Sequence, residues 1–261
     1  MSGLDALGDG ARTAVADAAS LALERWRTPA KKQWYKAPGA LVTETDLAVD
    51  RLLKERLGRL DPAIGWLSEE TSDSAARLEC ARVWIVDPID GTAAFAAGRD
   101  EWGVSVALVE DGRPVLGLLA CPAAEASFEA VRGAGATCNG RPIAPNARNS
   151  LESARLACGG GDRKRASFRD AFAGAALGRI DSLAYQLALV GSGGNDGLVL
   201  RRPCSEWDVA AADLIVHEAG GAVVDLGGRE LRYNRADTRV PSVIAASPAL
   251  LPTLLERLRG V

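Results

Sequence analysis

The stretch VWIVDPIDGTAAF, Val83 to Phe95, sets Asp87 and Asp90 three positions apart at the end of an apolar run. Like charges at that spacing repel, and burial strengthens the repulsion, so a compensating partner is required. Pro88 removes a ladder donor, Gly91 permits unusual φ, and Thr92 can cap a following helix. Three more acidic features stand at element boundaries: Asp46, the pair Glu69-Glu70, and Asp208. Asp46 and Asp208 also complete Thr43…Asp46 and Ser205…Asp208 capping boxes, so capping and ligation are both open for them. Glu69-Glu70 taken alone also fits a solvated loop. Mg²⁺ unites these features, because it takes oxygen donors octahedrally and is held by a few carboxylates plus substrate phosphate. Two ions about 3.5–4 Å apart need a bridging carboxylate and clamp both oxygens of an in-line displacement. The Asp87-Pro-Ile-Asp90 turn offers two carboxylates and the Ile89 carbonyl to one point. Helix starts at Thr92 and Trp207 would add amide donors for a phosphate.

Composition narrows the chemistry. A single histidine, His217, nearly excludes a Ser-His-Asp relay, a two-histidine zinc site or a paired phosphohistidine relay. A net charge of −3 argues against nucleic acid as partner, because phosphate backbones want a basic face. No apolar run reaches the roughly 18 residues of a membrane span, and the N-terminal stretch lacks a secretory h-region. Cys80, Cys121, Cys138, Cys158 and Cys204 are scattered without CxxC spacing, which fits reduced thiols in a cytoplasmic protein. The GGGD run at 159–162 lacks the lysine and Ser/Thr of a phosphate-binding P-loop.

The elements that must position these groups alternate. A helix is expected over 4–27, ended by Pro29, then a loop at Pro38-Gly39 and an amphipathic helix over 47–60 stopped at Asp61-Pro62. The WLSEETSD segment reads as a loop and Val83–Val86 as a strand. WGVSVALVEDGRPVLGLLACP reads as a hairpin turning at Asp111-Gly112, followed by further strands with glycine turns. The second half, from 146–150, gives a strand near 154–158, a basic loop GGGDRKR, and helices over 165–175 and 182–191. A strand at 197–200, a helix over 207–219, a strand at 242–246 and a helix over 249–259 follow. Strands and helices alternate without one βαβ period, which implies layered α/β or α+β sheets with helices between them. An N-terminal unit, 1–145, would carry most of the acidic motifs, and a C-terminal unit, 146–261, would carry Asp208 and the specificity elements.

Together, VTETD (42–46), SEE (68–70), DPIDGT (87–92) and WDVAAADLIVHEAGG (207–221) resemble the successive motifs of the inositol monophosphatase superfamily, lithium-sensitive Mg²⁺-dependent phosphatases. The match runs in order over nearly the whole chain. It implies an αβαβα sandwich and two or three Mg²⁺ ions. Glu69, Asp87 and the Ile89 carbonyl would hold the first ion, and Asp87, Asp90 and Asp208 the second. Thr92 with Asp46 would orient and deprotonate the attacking water, the amides of Gly91 and Thr92 would hold the phosphate, and Glu70 would support the ligands. Relatives of this kind make a homodimer the expected assembly.

Substrate choice turns on other residues. Where inositol monophosphatases carry an acid seven positions before the WD aspartate, this chain has Arg201, with Arg202 beside it. Guanidinium forks prefer phosphate to neutral hydroxyls. The turn before the 182–191 helix reads Asp181-Ser182-Leu183-Ala184, without the expected glycine, and makes Ser182 a substrate-contact candidate. With the basic run Arg163-Lys164-Arg165, the pattern is closest to bacterial 3'(2'),5'-bisphosphate nucleotidases, which would act on a small bisphosphate nucleotide. An inositol or other sugar monophosphate is the alternative, with fructose-1,6-bisphosphate and histidinol phosphate behind it. Solvated arginines are the bland reading of that pattern, and a non-catalytic metal-binding regulator is the alternative of another class. His217, Trp66, Trp84, Trp102 and Trp207 read as packing residues.

Overall fold

The computed structural model describes residues 3–28, 32–37 and 40–261. Pro29 and the Pro38-Gly39 loop lie outside the described residues.

Two sheets organise the chain. The larger runs in the order Gly65–Ser68, Arg82–Asp90, Gly103–Glu110, Arg113–Cys121, Ala126–Val131, Gly135–Cys138, Arg141–Pro142, parallel in its first pair and antiparallel beyond. The smaller runs Ala176–Arg179, Arg155–Cys158, Gly197–Leu200, Val243–Ala246, Ala222–Val224, and is mixed. Period-two alternation explains the layering. Trp84 and Val86 face the helices Gly3–Trp26 and Glu44–Leu60, burying against Ala11, Val15, Val49 and Leu53. Val83 and Ile85, on the other face, bury against the helices Leu183–Gly191 and Ala210–Glu218, which also cover Ala157, Leu198 and Leu200 of the smaller sheet. Leu156, Cys158 and Val199 point outward again, onto Phe168, Phe172, Leu254 and Leu258 of the last helical layer. Strands buried on both faces read as continuous apolar runs, as VWIV does. The result is the expected αβαβα sandwich.

Several elements depart from the sequence reading. Residues 66–68 of the supposed WLSEETSD loop belong to an edge strand, Gly65–Ser68, parallel to 82–90. The 82–90 strand does not stop at Val86 but runs through the DPID turn, with an irregularity between Asp87 and Asp90. GGGDRKR is not a loop: Gly160–Lys164 is a short helix, stopped at Arg165 in extended backbone. The short strands Ala176–Arg179 and Ala222–Val224 were hidden between stronger signals. The helix expected from residue 207 starts instead as a 3₁₀ turn, Glu206–Asp208, before Ala210–Glu218. Gly117 allows that helix to lie close on the larger sheet, since a Cβ there would stand 2.5 Å from the Ala211 carbonyl oxygen. The hairpin turns at Asp111-Gly112 as expected, both residues at positive φ. The described cysteines are free thiols.

Candidate active site

Each acid of the site is aimed by its own element. Thr43 caps the helix Glu44–Leu60, accepting from the amides of Thr45 and Asp46, and Asp46 reciprocates. Asp46 Oδ2 accepts from the Thr43 amide at 2.9 Å and the Thr43 hydroxyl at 2.5 Å. That leaves Oδ1 for the Thr92 hydroxyl, 3.0 Å away. The same hydroxyl lies 3.0 Å from the Ile89 carbonyl oxygen. Asp208 repeats the device: its Oδ2 accepts from the Ser205 amide at 2.7 Å in a second capping box, so its other oxygen is available. Capping and site membership thus coexist at Asp46 and Asp208.

Asp90 is tethered from across the molecule. Its Oδ2 accepts from the Ser182 hydroxyl and from the Ala184 amide at 2.7 Å, at the N-terminus of the helix Leu183–Gly191. Ser182 is fully buried and also accepts from the Tyr185 amide at 3.1 Å. Its expected role as a substrate contact is therefore corrected: both hydrogen-bonding directions of the hydroxyl are committed to holding Asp90 and capping the helix. Asp87 Oδ1 accepts from the Ile89 amide at 3.0 Å, which closes the turn. Gly91 sits at φ 93°, and a Cβ there would lie 2.8 Å from the Glu101 carbonyl oxygen, so this corner requires glycine.

These anchors bring single oxygens of Asp87, Asp90 and Asp208 within 4.8 Å of one another. Glu69 lies outside that grouping but within its electrostatic reach. Burial is the main force raising every one of these acids. It pushes Asp87 well above the carboxylate range, with Glu69, Asp90 and Asp208 adding to it. Asp208 rises to about 7 from burial and then from Asp90. Glu69 rises to about 8 from burial, then Asp208 and Glu70, against the pull of Lys36. Asp90 rises only to about 6, because Ser182 and the helix amides oppose its burial. Four carboxyls so placed are costly to ionise together without a cation. The donors are all oxygen, one oxygen of each of Asp87, Asp90 and Asp208 is fixed by a hydrogen bond, and no imidazole or thiol joins the grouping. That set suits a hard divalent ion.

Two supports were not visible in the sequence. Asp50 accepts from the Ser68 hydroxyl at 2.5 Å and the Thr71 hydroxyl at 2.7 Å, which pins the segment carrying Glu69 and Glu70. Lys36 Nζ stands 2.6 Å from Glu70 and 3.8 Å from Glu69. Only pairing of side chains far apart in sequence reveals either. The candidate arginines separate. Arg201 Nε lies 3.7 Å from the Asp162 carboxylate, whereas the charge of Arg202 acts on Asp208 and lowers its pKa. Both line a cavity of about 170 Å³ with Arg165, Gly159 and Asp162. His217 pairs with Asp213 at 2.7 Å, and Asp213 accepts from Tyr233 at 2.6 Å, a structural network away from the acids. Trp84 and Trp102 are buried, and Trp66 and Trp207 pack half-buried against the cores.

A family model described as the inositol monophosphatase family matches residues 4–260. The chain belongs to that family. Its relatives include an inositol-1-monophosphatase of Rhizobium meliloti, 33% identical over 74% of this chain and 75% of the relative. A histidinol-phosphatase of Mycobacterium tuberculosis is 36% identical over 72% of this chain and 75% of its own. A 3'(2'),5'-bisphosphate nucleotidase of Aggregatibacter actinomycetemcomitans is 31% identical over 76% of this chain and 77% of its own. The crystal structure of the extragenic suppressor protein suhB from Bartonella henselae superposes with a TM-score of 0.85 at 27% identity, covering 96% of this chain and 97% of that one. Members of the inositol monophosphatase family are metal-dependent phosphatases, and this member is an enzyme of that class, acting on small phosphorylated substrates. Among the described residues no helix is long and apolar enough to cross a membrane.

Proposed function

We propose that this enzyme is a Mg²⁺-dependent phosphomonoester hydrolase whose leading substrate is a 3'(2'),5'-bisphosphate nucleotide. The convergence of Asp87, Asp90 and Asp208 within 4.8 Å carries the metal assignment. In this reading Glu69, Asp87 and the Ile89 carbonyl would hold one ion, and Asp87, Asp90 and Asp208 a second. A third, weaker ion would lie near Asp46 and Thr92. Bound there, Mg²⁺ supplies positive charge to the phosphoryl oxygens and to the departing ester oxygen. The protein's own part is positional. The Thr92 hydroxyl, turned toward Asp46 Oδ1, accepts from the attacking water and passes its own proton to Asp46. Burial raises the Asp46 pKa, which makes it a better base than an exposed aspartate. The amides of Gly91 and Thr92 face the phosphate.

The preference for a second phosphate rests on Arg202, which lines the cavity with Arg165 and whose charge lowers the Asp208 pKa. Arg201, already matched to Asp162, shapes the same cavity rather than leading it. A second reading, an inositol or other sugar monophosphate, is supported by the resemblance to inositol-1-monophosphatases. The same proposal carries lithium inhibition, a cytoplasmic location, a homodimer, and a division near residue 145 between the DPID half and the Asp208 half. Comparing kcat/KM for phosphoadenosine phosphate, inositol 1-phosphate and fructose-1,6-bisphosphate at fixed Mg²⁺ decides the substrate. Arg202→Ala should raise KM for the bisphosphate nucleotide more than for a monophosphate. An equal effect on both removes the second-phosphate assignment.

A further inference from the structure

Large apolar side chains exposed among the described residues include two adjacent aromatics, Trp34 at 40% and Tyr35 at 68%, both on the strand Gln33–Ala37. Isolated exposed apolar residues are ordinary. What distinguishes Trp34 is where its strand lies. Gln33–Ala37 pairs antiparallel with Ala40–Thr43, and Trp34 stands directly opposite Val42. Opposed residues project from the same face of a ladder, and Val42 is fully buried. Trp34 therefore belongs to the protein-facing side of the hairpin, yet it keeps much of its surface in solvent: it overhangs instead of packing. Lys36, two residues on at an irregularity of the ladder, reaches Glu70 at 2.6 Å and Glu69 at 3.8 Å. The partner strand ends at Thr43, whose hydroxyl holds Asp46, and it packs against the helix Thr92–Ala96. The overhanging indole thus sits on a hairpin tied at one end to Glu69-Glu70 and at the other to Asp46.

We infer that Trp34 is a stacking platform for a flat heteroaromatic ring in the leaving group of the phosphate ester. This rests on the phosphatase reading above and deepens it by assigning the residue that recognises the base of a nucleotide leaving group. A polyol offers no π-face to the indole. A nucleobase does, and stacking of a base on an aromatic side chain is sequence-tolerant and changes affinity by about 5- to 100-fold. Lys36, two residues on, is committed to Glu70 and Glu69 and ties the platform's strand to the segment that carries the acids. Tyr35, on the opposite face of the strand, is not part of the platform.

The test compares hydrolysis of adenosine 3'-monophosphate and glycerol 2-phosphate by wild type, Trp34→Ala and Trp34→Phe, together with competitive inhibition by adenosine alone. Trp34→Ala should reduce the selectivity ratio for the adenosine ester over the glycerol ester by about 5- to 100-fold, chiefly through KM, and should raise the inhibition constant of adenosine by a similar factor. Trp34→Phe, which keeps a π-face, should retain most of the ratio. An unchanged ratio in Trp34→Ala, or a wild type that prefers the glycerol ester, overturns the stacking platform and leaves the phosphatase reading standing. Failure of the wild type to hydrolyse any phosphomonoester with Mg²⁺ refutes the phosphatase reading itself, and the platform with it.

Discussion

Asp90→Asn separates what the site does from what it costs the fold. The amide has the shape of the carboxylate, and its oxygen can replace Asp90 Oδ2 as acceptor for the Ser182 hydroxyl and the Ala184 amide. Local structure should therefore persist. The charge does not. In the folded protein the Asp90 pKa rises from 3.8 to about 6, mainly through burial. An unfolded aspartate releases its proton at lower pH than this one, so the folded state loses stability as pH rises between those two values. Above about pH 6 the loss is complete. Two pH units correspond to about 3 kcal/mol, which asparagine recovers. For a domain of this size that is about 5–10 °C in Tm. The assay is thermal denaturation in EDTA at pH 8 and at pH 4, alongside phosphate release with Mg²⁺. At pH 8 in EDTA the variant should melt several degrees above wild type, and at pH 4 the gap should close. Mg²⁺ should stabilise wild type more than the variant, and the variant should release no phosphate. A variant less stable than wild type at pH 8 in EDTA, or one that turns over, refutes the reasoning.

Ser182→Ala removes one of the donors to Asp90, and loss of a support to a metal-binding carboxylate typically weakens metal affinity about 10- to 100-fold. The Mg²⁺ concentration for half-maximal activity should rise accordingly, and Ser182→Thr should restore part of it. An unchanged Mg²⁺ requirement would show that the hydroxyl does not position Asp90. Gly91→Ala combines a positive φ with a 2.8 Å approach to the Glu101 carbonyl, so it should lower Tm by several degrees and activity with it. A variant with wild-type Tm would mean that this corner relaxes freely.

Much of this was legible in the chain because it is local. Capping boxes at Thr43…Asp46 and Ser205…Asp208 depend on residues three apart, and the Asp111-Gly112 hairpin announces itself in two. The DPID turn could be read as chemistry because two carboxylates at the end of a buried strand repel unless a cation or fixed donors offset them. What escaped was set at long range. The edge strand Gly65–Ser68 looks like a loop until its parallel partner Arg82–Asp90 is known. Ser182 looked like a substrate contact because nothing in its own neighbourhood reveals Asp90, 92 positions earlier, as its acceptor. Lys36 carried no motif at all, and only the folded hairpin sets it against Glu69 and Glu70. Spacing from Asp208 singled out Arg201, with Arg202 only its neighbour, and the folded chain distinguishes them through Asp162, which claims the first.

The central claim, hydrolysis at a metal held by the Asp87–Asp90–Asp208 grouping, is tested most directly by phosphate release from phosphoadenosine phosphate and inositol 1-phosphate. Wild type and Asp208→Asn are compared with Mg²⁺ and with excess EDTA. Turnover of at least one ester by wild type with Mg²⁺, lost in EDTA and lost in Asp208→Asn, is the predicted result. Turnover that survives EDTA, or an Asp208→Asn enzyme as active as wild type, would contradict it.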